Sequence, residues 1–240
     1  MDTRIVQQLL AINRKFYSEF ARPFSETRSS AQTRLDRIVA YIGDAVKLLD
    51  VGCGNGRLAE RLEKEGKHVE YRGVDASPEL IAIANERKTN WHRIAADFSV
   101  ADITSPNWNA RLPADSFDIA AALAVLHHIP SFELRCQLFR DIRTRVKPGG
   151  MFVMTNWHFE RNERLRKKIV PWQQVGLDES DVESGDALMT WERGGVGYRY
   201  CHLLTMSEVL RSAEQSGFQV VKQFYADADL NLYSVLRRPE

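Results

Sequence analysis

The chain has 240 residues, of which 44% are hydrophobic and 27% charged, with a formal net charge of +1. That length and composition fit one buried core with an N-terminal extension, and they exclude the disordered and membrane-spanning classes. Near-neutral charge also excludes nucleic-acid binding through bulk charge and leaves it to local patches, here Arg161 to Lys168 and the basic residues of the first forty positions, each of which reads by itself as a solvated face.

In chain order, Ile5, Leu9, Ile12, Phe16 and Phe20 recur at helical spacing and predict an amphipathic helix over 4–20. Pro23 and Ser25 mark a turn, and Leu35, Ile38, Val39 and Ile42 predict a second helix over 30–42. These elements make 1–44 a helical extension or lid. From Lys47 the pattern becomes strand (48–51), glycine turn (52–56), helix (57–65) and strand (71–74). It continues with a helix over 79–87, a strand ending near Ala101, a buried strand over 117–123, a helix over 132–146, the Pro148-Gly149-Gly150 turn and a strand over 152–155. Short apolar strands alternating with helices predict a parallel sheet covered on both faces.

The rhythm breaks after Trp157, and 161–197 read as an insertion or lid carrying a basic run and an acidic run. Order is expected again from Thr205, with a helix over 207–216 and two closing strands, 219–225 and 232–236, joined closely enough for an antiparallel pair. The fold class expected is α/β, Rossmann-like, a seven-stranded mostly parallel sheet with an antiparallel last strand, occupying 45–240. Cys53, Cys136 and Cys201 form no C-x-x-C pair and show no metal-ligand spacing, so a reduced setting and no metal are expected. The first 28 residues hold no continuous apolar run, and a soluble cytoplasmic protein is expected, with no membrane partner.

The strongest local signal is Asp50-Val51-Gly52-Cys53-Gly54-Asn55-Gly56. Glycines between strand and helix let a cofactor approach the backbone, and the spacing G-x-G-x-G differs from the dinucleotide G-x-G-x-x-G. Asp50 ahead of the turn would repel a pyrophosphate but suits the cationic amine of a methionine moiety. Asp75, with Ala76 behind it, follows the next strand, where an acid accepts ribose hydroxyls. Asp102 with Ile103 stands where adenine would lie; Asp97 competes for that role, and Leu123 ends the strand beside it. These residues resemble the class I S-adenosylmethionine-dependent methyltransferases over about 45–236, as do Leu123 to His128 and the Pro148-Gly149-Gly150 turn. The resemblance implies S-adenosyl-L-methionine as cofactor.

A narrower resemblance lies outside this shared core. The segments 16–28, 157–160, 199–203 and 231–233 are similar to the tRNA wobble-uridine carboxymethyl methyltransferases, with departures at Cys201 and Leu232, where that family usually carries aromatics. It implies methyl esterification of a carboxymethyl group on a tRNA wobble uridine, tRNA as partner, and a small zinc-binding activator protein as a second partner. It selects Arg28 and Arg199 as the clamp on the acceptor carboxylate, since an arginine fork matches that group. His127 and His128 serve either as a base or, the favoured reading, to shape the pocket floor. Tyr17, Trp157 and Tyr200 are candidates to stack on a base, or are core aromatics. His202 is a substrate contact or a satisfied structural histidine, and Asn231 belongs with the substrate side. The rival functions are a small-molecule carboxyl or O-methyltransferase, a non-catalytic cofactor-binding module, and a nicotinamide-dependent oxidoreductase, the last disfavoured by the glycine spacing.

Overall fold

Leu48, Leu49 and Val51 are apolar on both faces of one strand, and such a strand is stable only with layers above and below it. In the computed structural model, which describes residues 1–21, 32–192 and 195–240, this strand is β1 (Val46–Val51), an interior strand of a seven-stranded sheet. Its neighbours are β2 (Val69–Asp75) and β4 (Phe117–Leu123), both parallel to it. Beyond them lie β3 (Ile94–Val100) on one side and β5 (Val146–Trp157) on the other, again parallel. The closing pair, β9 (Gln219–Ala226) and β10 (Asn231–Arg237), completes the order β3-β2-β1-β4-β5-β10-β9, with β10 antiparallel to both β5 and β9. The order reverses between β1 and β4, so the crossovers leave in opposite directions and open a crevice at the carboxyl ends of those strands.

Helices cover both faces. On one face Phe139 and Ile142 of α5 (Phe132–Arg143) and Val209 and Ala213 of α7 (Met206–Ser216) pack against Phe152, Met154 and Leu232. On the other, Ile38 of α2 (Gln32–Val39), Leu58 and Leu62 of α3 (Arg57–Lys64) and Ile81 and Ala84 of α4 (Pro78–Arg87) pack against Leu48, Tyr71 and Val153. The helix starts are set by side chains: Ser77, Ser131 and Thr205 accept from backbone N–H groups three residues on. β5 begins earlier than expected, because the Pro148-Gly149-Gly150 turn is held at the sheet: Gly149 N donates to Arg238 O and Arg238 N to Gly150 O, both at 2.9 Å.

The segment after β5 is more ordered than its pattern suggests. A single helical turn α6 (Glu163–Arg166) leads into β6 (Ile169–Val170), β7 (Asp186–Trp191) and β8 (Gly197–His202), which form a separate three-stranded antiparallel sheet. The amphipathic helix α1 (Thr3–Glu19) lies across it, with Ile5 and Leu9 packed against Trp172, Leu188 and Tyr200. Thus the apolar stripe of α1 is buried against the insertion sheet, and its adjoining polar side chains face the crevice.

Candidate functional site

The turn after β1 is built from residues that only glycine accommodates well. Gly52 and Gly54 have φ of +74° and +54°, a region that costs other L-residues about 1 kcal/mol or more. A Cβ on Gly52 would stand 2.5 Å from Val125 Cγ2, whereas one on Gly54 would meet nothing within 4 Å. The open side at Gly54 is a cleft of about 430 Å³. Asp75 is fixed at its edge: Gly54 N donates to Oδ2 and Ser77 N to Oδ1, each at 2.9 Å. Asp102 Oδ1 accepts from Thr104 N and Oγ1 at 2.9 and 2.6 Å, and Oδ2 lies 3.3 Å from Arg14 Nη1. The rival acid Asp97 is more than half exposed, paired with Arg72, and absent from the cleft wall.

Of the residues expected at the cofactor, Gly52, Gly54, Asp75, Ala76, Asp102, Ile103 and Leu123 line this cleft. Asp50, Cys53 and Asn55 line a smaller recess of about 80 Å³ that shares Gly52, Gly54 and Leu123 with it. Gly56 borders neither; it opens α3 and sits against Phe98 and Ala84. Asp50 is 2% exposed, takes a hydrogen bond from the Tyr71 hydroxyl on Oδ2, and has no hydrogen-bond partner for Oδ1. Burial pushes its pKa up to about 7, opposed by the Tyr71 bond and reinforced by Asp75. An orphaned buried carboxylate oxygen beside a recess fits a cationic ligand group, and two fixed acids further along fit hydroxyls and an amino group.

The opposite wall comes from α1 through Leu10, Asn13, Arg14, Tyr17 and Ser18. His128, in a 3-10 turn (Leu126–His128) after β4, donates from Nδ1 to Tyr200 O at 3.0 Å, because a carbonyl can only accept. Its Nε2 is hydrogen-bonded to the Tyr17 hydroxyl at 2.8 Å, which fixes the ring's orientation at the cleft. Asn13, 6% exposed, accepts from Tyr200 N at 2.9 Å and donates to Tyr200 O and His128 O at 3.2 and 3.1 Å. This one side chain joins α1, β8 and the His128 turn. His127 stacks on half-buried Trp157, ring centroids 4.7 Å apart, and neither lines the cleft.

Behind Tyr17 and His128 lies Arg199. It is 2% exposed, with its guanidinium carbon 4.7, 5.0 and 5.2 Å from the rings of Phe16, Trp157 and Trp191. Its Nε and Nη1 are buried and have no hydrogen-bond partner among the described residues. Arg28 lies outside the described residues.

Three expected substrate contacts are otherwise engaged. The Tyr200 side chain is fully buried and donates to Asp186 at 2.7 Å, so it cannot stack on a base. His202 bridges Asp186 and Glu208 at 2.6 and 2.8 Å, and Arg135 ties Glu208 to Glu183, a buried ionic network between the insertion and α5 and α7. Asp186 and Glu208 take both ring nitrogens of His202, and Glu183, Asp186 and His202 come together within this ion-pair network. Asn231 donates to Asp227 at 2.8 Å and braces the β9–β10 turn. Conversely, the sequence reading missed Asn13 and Arg14 at the cleft, although Asn13, four residues after Leu9, is a polar interruption of the apolar stripe of α1.

A sheet whose order reverses beside a G-x-G-x-G turn, with an orphaned acid before the turn and fixed acids after the next two strands, defines a class I S-adenosylmethionine-dependent methyltransferase. The chain belongs to the family described as a methyltransferase domain, which matches residues 24–223. It is similar to two tRNA (carboxymethyluridine(34)-5-O)-methyltransferases, from mouse (26% identity over 69% of this chain and 23% of that protein) and Saccharomyces cerevisiae (28% over 66% and 55%). The chain thus spans about a quarter of the mouse protein and about half of the yeast one. A ubiquinone biosynthesis O-methyltransferase of Paraburkholderia phymatum is 33% identical over 43% of this chain and 41% of that protein. Among solved structures, an S-adenosylmethionine-dependent methyltransferase of Methanosarcina mazei has a TM-score of 0.64 at 20% identity, over 85% of this chain and 97% of that one. A methyltransferase solved with the Haloferax volcanii Trm112 methyltransferase activator has a TM-score of 0.67 at 16% identity, over 95% and 98%. These two likenesses establish the fold. S-adenosylmethionine supplies, when bound, a methyl group on an electron-poor sulfonium carbon.

Proposed function

We propose that this methyltransferase esterifies the carboxylate of a carboxymethyl group on a tRNA wobble uridine. The observation that carries the reading is Arg199, a buried guanidinium with two unpartnered nitrogens, held among three aromatic rings directly behind the cleft wall. A carboxylate is the group such a fork binds through paired hydrogen bonds, and the half-buried face of Trp157 beside it suits a nucleobase. The relatives named for carboxymethyluridine support the same acceptor.

The chemistry needs no general base, because a carboxylate with a pKa near 4 is already ionised at pH 7. Transfer then depends on alignment of the oxygen with the methyl carbon. In this reading Asp50 holds the donor's amine, Asp75 its ribose and Asp102 its adenine amino group. Tyr17 and His128 form the floor between donor and acceptor, with His128 as a shaping group. Arg199 and Arg28 hold the acceptor carboxylate, and Trp157 offers the half-buried stacking face. Residues 1–44 act as a lid on the methyltransferase domain of 45–240. The Haloferax complex supports a small activator protein as partner, and a tRNA substrate is in keeping with a cytoplasmic site of action.

A second reading, O-methylation of a small phenol, draws on the ubiquinone-pathway relative. The deciding experiment incubates the purified chain and labelled S-adenosylmethionine with tRNA lacking the methyl ester, and separately with phenolic acceptors, each with and without an activator of the Trm112 kind. Label in the carboxymethyluridine of tRNA is the expected result. Label in phenols alone, or in neither, rejects the proposal.

A further inference from the structure

An anticodon substrate must bring its phosphate backbone past the residues that surround Arg199. The basic segment after β5 lies at that border. Its helical turn α6 starts at Asn162, whose side chain accepts from Leu165 N, and is anchored by buried Leu165 among Phe159, Met189 and Cys201. Lys168 O accepts from Thr190 N at 2.8 Å, so the end of the segment is fastened to β7. Lys168 Nζ stands 5.7 Å from the centre of the Trp191 ring, the same ring that lies 5.2 Å from the Arg199 guanidinium. At the other end, Arg161 lies 4.8 Å over Tyr225 and 3.7 Å from Asp229, which holds it at the β9–β10 turn.

Between these fixed ends the charge is unbalanced. Lys167 is paired with Glu163 at 2.6 Å, whereas Arg164 and Arg166 are exposed and have no ion-pair partner among the described residues. Four acids of the same insertion are engaged elsewhere, since Glu183 and Asp186 are drawn inward to Arg135 and His202 and Asp178 and Asp181 cap one short turn between them. Two guanidiniums without an ion-pair partner stand on a turn whose far end, Lys168, is one aromatic ring from Arg199, the arginine proposed for the acceptor carboxylate, and so offer a phosphate track toward the site. We infer that the segment 161–168 binds the RNA backbone, with Arg164 and Arg166 each meeting a phosphate. This inference rests on the tRNA reading above and adds the surface that the RNA follows.

Phosphate contacts release counterions and carry no base information, so the two arginines should act through salt dependence and equally on modified and unmodified RNA. The test measures binding of tRNA, with and without the carboxymethyl group, across a salt series. The variants are the double substitution Arg164→Glu with Arg166→Glu, the milder Arg164→Ala with Arg166→Ala, and Arg93→Glu, which lies just before β3 at the far end of the parallel strands. S-adenosylhomocysteine binding by calorimetry reports that each variant is folded. The Ala pair should lower the magnitude of the salt slope by about 1.4 and weaken both tRNAs about tenfold or more, and the Glu pair should weaken them further. An unchanged slope, an equal loss in Arg93→Glu, or a loss confined to the carboxymethylated tRNA overturns the inference. If the wild type binds tRNA with the expected arginine dependence yet transfers no methyl group to it, the esterification reading fails and the surface stands; if it binds no tRNA, both fail.

Discussion

Asp50→Asn should make the empty protein more stable and its donor binding worse. Asp50 is enclosed at the end of β1, with one oxygen bonded to Tyr71 and the other unpartnered, and its pKa is pushed from 3.8 to about 7. Between those values the folded chain holds a proton that the unfolded chain releases, so wild-type stability falls as pH rises across that window. At about 1.4 kcal/mol per pH unit, the loss reaches about 4 kcal/mol by pH 8. Asparagine keeps an oxygen for the Tyr71 hydroxyl and carries no charge. The variant should therefore match the wild type near pH 4 and exceed it by up to about 4 kcal/mol at pH 8, read by denaturant unfolding. A cationic amine near the free oxygen contributes about 2–4 kcal/mol in a site of intermediate dielectric, so S-adenosylmethionine affinity should fall by about a hundredfold. Parallel pH profiles for the two proteins, with unchanged donor affinity, would refute the assignment.

The two glycines of the turn should separate stability from binding. Gly52→Ala meets Val125 and should cost about 2–3 kcal/mol of unfolding free energy, whereas Gly54→Ala meets nothing, should cost about 1 kcal/mol, and should weaken S-adenosylhomocysteine more than its stability loss explains. Arg199→Lys should lower kcat/KM for tRNA by about a hundredfold or more with donor affinity retained in calorimetry, since an ammonium cannot present a planar fork. For His202, burial acts to lower the pKa, but the hydrogen bonds to Asp186 and Glu208 prevail and raise it. Its contribution is thus complete below the unfolded value near 6.5 and is lost as pH rises through the higher folded value. His202→Gln should cost about 3–5 kcal/mol at pH 6 and less at high pH, measured by denaturant unfolding.

The sequence made the sheet and the donor side legible because both follow from local pattern. Glycine spacing marks the turn after β1, and acids at the ends of successive parallel strands fall at one crevice whatever the rest of the chain does. The insertion was not legible in this way: β6 has two residues and β7 and β8 have no repeated spacing, so the small sheet forms through contact with α1. Tyr200, His202 and Asn231 show the limit of residue type as a signal. Aromatic, imidazole and amide groups satisfy buried acids as readily as they meet a substrate, and here Asp186, Glu208 and Asp227 take them. Arg199 and Asp50 differ in having atoms left without partners, a property that requires coordinates to detect.

The chemical nature of the bond formed tests the account most directly. The wild-type chain would be incubated with tRNA lacking the methyl ester and with methyl-labelled S-adenosylmethionine, and the recovered tRNA treated with mild alkali. A methyl group placed on a carboxylate by the arginine clamp leaves as labelled methanol; label that stays on the nucleoside through the same treatment, as on a ring nitrogen or an ether oxygen, contradicts the account.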